Sequence, residues 1–162
     1  MADDYLTEEE KHYLLKVARQ ALEEYFGISS QEQLPPPTPK LLQPGATFVT
    51  LTIDGQLRGC IGTLEAYQPL IEDVKEHAIA AAVQDYRFPP LTAKELPYIK
   101  IEISRLTKPE RLHYQHPLDL AQRIRPGIDG VVLQWRGRRA TFLPQVWEKI
   151  PSPEEFLDHL CM

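Results

Sequence analysis

The segment Leu57-Arg58-Gly59-Cys60-Ile61-Gly62-Thr63 sets a cysteine between two glycines and two residues after an arginine, in a stretch that otherwise reads as a strand. A thiol is a nucleophile only as its thiolate, and a nearby cation lowers its pKa and favours that form. Glycine inside a strand marks a bulge or a close approach by another backbone or a ligand. Cys60 and Arg58 are therefore candidate catalytic residues, and Gly59, Gly62 and Thr63 candidate ligand-binding positions. Other readings stay open. A free cysteine often serves as a small buried hydrophobe, and Arg58 equally suits a structural ion pair.

Asp85 and Arg87 stand two apart in Asp85-Tyr86-Arg87-Phe88-Pro89-Pro90, a proline-bounded loop of the rigid kind that carries functional residues. Both are candidate catalytic residues; alternatively they pair with each other or cap the preceding helix. Phe88 reads most simply as a core anchor. A cysteine nucleophile normally needs a base, most often histidine. Of His12, His77, His113, His116 and His159, only His77 falls on the helix after the strand, so it is the one to test. No histidine, cysteine and carboxylate spacing matches a zinc site, and no phosphate loop or dinucleotide fingerprint occurs. Neither a metal nor a cofactor is expected.

The elements around these residues follow from local signals. Thr7 and Glu10 form a capping box before Leu14, Ala18, Ala21, Leu22 and Tyr25 at helical spacing, and Gly27 supplies a stop. Five prolines between residues 29 and 45 make that stretch an extended connector. A hairpin is predicted over Thr47–Ile53 and Gln56–Leu64, turning at Asp54-Gly55. Its register decides the face of Cys60. A two-residue loop pairs 51 with 58, putting Arg58 and Cys60 on the apolar face of Val49, Leu51 and Ile53. A three-residue loop with a bulge pairs 51 with 57 and puts both on the polar face, beside Thr50 and Thr52. The second is favoured, because burying an unpaired arginine costs several kcal/mol, far more than a bulge. A helix with Ile71, Val74, Ala78 and Ala82 on one face follows. Then come a strand over Tyr98–Leu106, a short helix over Pro117–Ile124, a hairpin of Val131–Trp135 with Arg138–Phe142, and short helices over Gln145–Lys149 and Pro153–Cys161. The mixture is α+β, with mainly antiparallel sheets packed with helices.

Length and composition set the bounds. The 162 residues suit one compact domain or two small lobes, and 43% hydrophobic with 25% charged residues is ordinary for a globular protein. A net charge of −5 argues against a nucleic-acid binder. A local basic cluster of Arg123, Arg125, Arg136, Arg138 and Arg139 reads as a solvated turn region or an anion site. Two cysteines about a hundred residues apart make no disulfide framework. The Met1-Ala2-Asp3-Asp4-Tyr5 start lacks signal-peptide regions, and no apolar run is long enough to span a bilayer. A cytoplasmic location with free thiols and no membrane partner is expected.

The Leu57–Thr63 run resembles the signature of the AMMECR domain family, which in prokaryotes is the A component of the AmmeMemoRadiSam system. Asp85-Tyr86-Arg87-Phe88-Pro89-Pro90, Glu102-Ile103-Ser104, Thr141-Phe142-Leu143-Pro144-Gln145-Val146 and Phe156-Leu157 with Leu160-Cys161 are similar to further family segments, in the same order. Two departures stand out. The family usually continues past Cys161 with about one more strand, whereas this chain stops at Met162, and Arg105 replaces a more usual apolar residue. The resemblance implies a single AMMECR-type domain over 1–162, with a smaller lobe of about 40–84 inserted into a larger lobe of 1–39 and 85–162. It also implies that Thr141 and Gln145 face the cleft of Cys60 as ligand-binding residues. The system's name implies a pathway shared with a Memo-like protein and a radical S-adenosylmethionine protein. Within it the chain would handle or modify an unknown small molecule in a Cys/Arg cleft, or else act as a non-catalytic protein-binding adaptor.

Overall fold

The Thr7 hydroxyl accepts from the Glu10 N–H at 3.1 Å and the Glu10 carboxylate from the Thr7 N–H at 3.0 Å. This reciprocal pair satisfies two otherwise unpaired donors and starts helix α1, Glu8–Tyr25. The helix ends before Gly27, whose φ of +73° is the left-handed conformation that glycine adopts without strain. The structure, a computed structural model, describes residues 5–30 and 32–162. The Met1–Asp4 start and Gln31 of the proline-rich connector lie outside the described residues.

Strands β1 (Ala46–Ile53), β2 (Gln56–Gly62) and β3 (Ile99–Leu106) form an antiparallel sheet in the order β2-β1-β3. Helix α2, Leu70–Val83, lies between β2 and β3 in the chain. Strand side chains alternate between faces. Val49 and Leu51 are buried in one core with Leu14, Leu22, Val74 and Ala78, so α1 and α2 both cover that face. Thr50, Cys60 and Glu102 share the other face, since Thr50 stands opposite Cys60 on β2 and Glu102 on β3.

The hairpin register differs from the expected three-residue loop. Asp54 and Gly55 have φ of +51° and +77°, and Ile53 pairs directly with Gln56. This is a two-residue turn, whose twist matches that of the strands. The odd residue sits inside β2 instead: Thr52 pairs with Leu57 and Leu51 with Gly59, leaving Arg58 as a bulge. A bulge re-aims its side chain, and here it turns Arg58 away from the ladder. Cys60 consequently lies across from Thr50, away from Leu51. Leu57 falls opposite Thr52 and is exposed, instead of joining Ile61 on the apolar face.

Residues 109–162 form a second compact unit, separate from residues 1–108. It contains β4 (Val131–Trp135) paired antiparallel with β5 (Arg138–Phe142), the single turn α3 (Leu120–Arg123) and α4 (Pro153–Cys161). Its core centres on Phe156, which stacks on Trp147 with centroids 3.8 Å apart and meets Phe142 edge-on at 5.2 Å. The helix expected over Gln145–Lys149 is a 3-10 turn, Pro144–Glu148, and the first part of that expected over Pro117–Ile124 is a 3-10 turn too, Pro117–Asp119. The boundary near residue 108 differs from a lobe of 40–84 inserted between 1–39 and 85–162. The physical reason is that α1, β1, α2 and β3 bury their apolar faces against one another, which leaves no seam near residue 40 or 84.

Candidate functional site

Cys60 is half-buried on the polar face of β2, with its Sγ 3.2 Å from Thr50 Oγ1. Burial raises its thiol pKa. The hydrogen bond from Thr50 and the charge of Arg87 work against that rise, and Asp85 and Glu102 add to it. No histidine is among these groups, and the thiol is held protonated near neutral pH.

Arg58 does not supply the activating cation. Its Nε donates to Glu95 Oε2 at 2.9 Å, and its side chain is 14% exposed. The bulge directs Arg58 to the 3-10 turn Ala93–Tyr98, which carries Glu95. The expected pairing of this guanidinium with the thiol is therefore replaced by an ion pair that ties β2 to that turn.

The two glycines are filled from within the chain. A Cβ on Gly59 would stand 1.9 Å from the Ala81 carbonyl oxygen of α2. On Gly62 it would stand 2.2 Å from the Thr47 carbonyl oxygen and 2.5 Å from Phe48. Both glycines permit close packing, of a helix on the sheet and of neighbouring strands. The space expected for a ligand at these two positions is occupied by protein. Thr63 continues the β2 edge, its N–H bonding the Thr47 carbonyl at 3.1 Å.

Asp85 and Arg87 do meet Cys60. The Cys60 N–H, on the outer edge of β2, donates to Asp85 Oδ2 at 3.0 Å. Arg87 grips the same carboxylate with Nε at 2.9 Å and Nη2 at 2.7 Å, and its N–H adds a third bond at 3.2 Å. These donors, Arg87 foremost, hold the Asp85 pKa down at about 2 despite burial. Asp85 thus closes an edge strand that would otherwise expose an unpaired N–H. The Arg87 guanidinium also lies over the Phe88 ring at 5.4 Å.

Thr141 and Gln145 belong to the second unit, in β5 and the 3-10 turn after it. Within the basic cluster, Arg125 pairs with Asp129 at 2.8 Å and Arg136 lies over Trp135 at 4.6 Å. His77 lies away from the groups around Cys60: its Nδ1 sits 3.1 Å from Asp73 Oδ2, and both side chains are buried. Burial raises the Asp73 pKa, but hydrogen bonds from His77, Gln68 and Thr47 outweigh it and hold the carboxyl below its ordinary value. Strand alternation placed Thr50 beside Cys60, as found. Sequence reasoning missed Glu95 and Glu102 as neighbours of the heptapeptide, and nothing local marks them. Asp73 also escaped notice, although its spacing of four from His77 on a helix places both on one side.

A family model described as AMMECR1 matches residues 15–162. A protein of Methanothermobacter thermautotrophicus is 42% identical over 163 residues, covering 97% of this chain and 83% of that one. A protein of Methanopyrus kandleri is 39% identical over 165 residues, covering 97% and 78%. The crystal structure of an uncharacterised protein from Pyrococcus horikoshii superposes with a TM-score of 0.85 at 34% identity, covering 96% of this chain and 80% of that one. No helix among the described residues is long and apolar enough to cross a membrane.

Proposed function

The chain belongs to the AMMECR1 family, and on that premise we propose that it is a non-catalytic binding module, presenting the Cys60 face of its first sheet to a protein partner. One observation carries this reading: the polar groups expected to do chemistry are already committed within the chain. Arg58 is taken by Glu95, Asp85 by Arg87 and the Cys60 N–H, and burial keeps the thiol protonated. The partners are those the family resemblance implies, a Memo-like protein and a radical S-adenosylmethionine protein.

A small-molecule-handling or modifying role, with a Cys/Arg cleft, is the second reading. What favours it is the charge of Arg87, which pulls the thiol pKa down against burial.

Alkylation of Cys60 followed against pH, in wild type, Arg58→Ala and Arg87→Ala, separates the two. A binding module shows slow alkylation at neutral pH that Arg58→Ala leaves unchanged, and forms a complex with a purified partner by gel filtration that a bulky substitution such as Thr50→Arg weakens. Rapid alkylation near pH 7 that Arg87→Ala slows tenfold or more, without complex formation, overturns the module and supports the modifying role.

A further inference from the structure

Midway along α2 a buried histidine is held from behind by one carboxylate and lies close to another. His77 is 3% exposed, and its Nδ1 faces Asp73 Oδ2 at 3.1 Å. The same oxygen accepts from the Thr47 N–H at 2.8 Å and the Thr47 hydroxyl at 2.7 Å. An acceptor carboxylate at that distance places the imidazole proton on Nδ1 and leaves the lone pair on Nε2. This is the carboxylate–histidine arrangement that orients metal-ligating imidazoles.

Nε2 lies 3.9 Å from Glu76 Oε2, too far for a hydrogen bond. Two ligands bonded at about 2 Å to a tetrahedral ion stand about 3.3 Å apart, so the solvent-facing Glu76 carboxylate has to close by roughly half an ångström. Glu76 is half-exposed, open to solvent, and is steadied by donation from Tyr67 and from Gln68 Nε2 at 2.7 Å. The Gln68 amide also donates to Asp73 Oδ1 at 3.0 Å, so a positively polarised group already bridges the two carboxylates. One donor atom each from Asp73, Glu76 and His77 lies within 4.8 Å of the others.

We propose that this cluster binds a divalent first-row metal ion, Zn2+ in the first instance. His77 Nε2 and the Glu76 carboxylate are its ligands. Asp73 is no ligand but positions the imidazole through Nδ1, and water completes the ion's shell. Imidazole with carboxylate oxygen suits such ions better than Mg2+ or Ca2+, which prefer oxygen alone. The site is independent of the Cys60 face and goes beyond the binding-module reading.

Equilibrium dialysis of the full chain against Zn2+, with bound metal measured by atomic emission, tests it. Wild type should bind one ion, and Glu76→Gln and His77→Gln should each weaken binding at least tenfold. Glu72→Gln, on the same helix, should bind as wild type does. His77→Gln replaces a buried group, so a melting curve accompanies it; if that variant does not fold, the exposed Glu76→Gln decides alone. A histidine NMR spectrum adds a readout, in which Zn2+ should shift Nε2 of His77 and no other imidazole nitrogen. The absence of stoichiometric binding overturns the proposal, as does binding that survives Glu76→Gln undiminished.

Discussion

At the scale of single residues, the groups with the most chemical promise turn out to hold the fold. Gly59 is required because the Ala81 carbonyl occupies the place a side chain would take. Gly59→Ala forces the α2 backbone off the sheet and should cost about 3 kcal/mol, near the upper end for overpacking, read as a lowered urea midpoint. Asp85 gives a pH signature. Its folded pKa of about 2 lies below its ordinary carboxylate value, so its contribution is fully present above about pH 4 and is lost as pH falls through 2. A shift of that size corresponds to roughly 2 kcal/mol. Asp85→Asn should lower stability near pH 7 and flatten the acid limb between pH 4 and 2. Stability that keeps the wild-type slope there would show that another carboxylate dominates.

At the scale of elements, the first hairpin shows how one extra residue redistributes side chains. The tight turn at Asp54-Gly55 and the bulge at Arg58 together shift the pairing by one residue. This is what keeps Cys60 on the face of Thr50 and sends Arg58 to Glu95. A Cβ on Gly55 meets nothing within 4 Å, so Gly55→Ala suffers only from its φ of +77°. The cost should be about 1–2 kcal/mol, the penalty of a left-handed residue, with the Cys60–Asp85 contact intact in an amide spectrum. A loss well above that would mean that the turn also controls the bulge. Asp73 plays a comparable part at the other end of β1, where its bonds to Thr47 dock α2 on the strand.

At the scale of the whole molecule, the two compact units have separate cores, one around Val49, Leu51 and Val74 and one around Phe156 and Trp147. The second unit is small and rests on few large side chains, so it has little stability to spare. Phe156→Ala removes its centre and should cost that unit about 3–5 kcal/mol. Hydrogen exchange should then report lost protection over residues 131–142, with protection over residues 46–53 retained. Equal loss in both segments would show that the units unfold as one.

The α+β class, the capped first helix, the position of the first hairpin's turn and the apolar face of α2 were legible in the sequence; the proline-rich stretch read as an extended connector, whereas Pro39–Leu42 within it coils into a 3-10 turn that buries Leu41. The features read correctly rest on signals within a few residues of one another: a capping box, a turn dipeptide, a helical period. Family membership was legible too, from the order of short motifs. Which residue makes the bulge was not, because a loop and a strand accommodate one extra residue at similar cost and only packing chooses between them. The roles of Arg58, Gly59 and Asp85 depended on groups brought close by folding: Glu95, the Ala81 carbonyl and the Cys60 N–H. Charge pairing and close approach act through distance in space, which spacing along the chain does not encode. His77 read as a lone helical histidine although Asp73 stands one turn before it on the same helix, and only the tertiary structure joined that pair to Thr47 of β1.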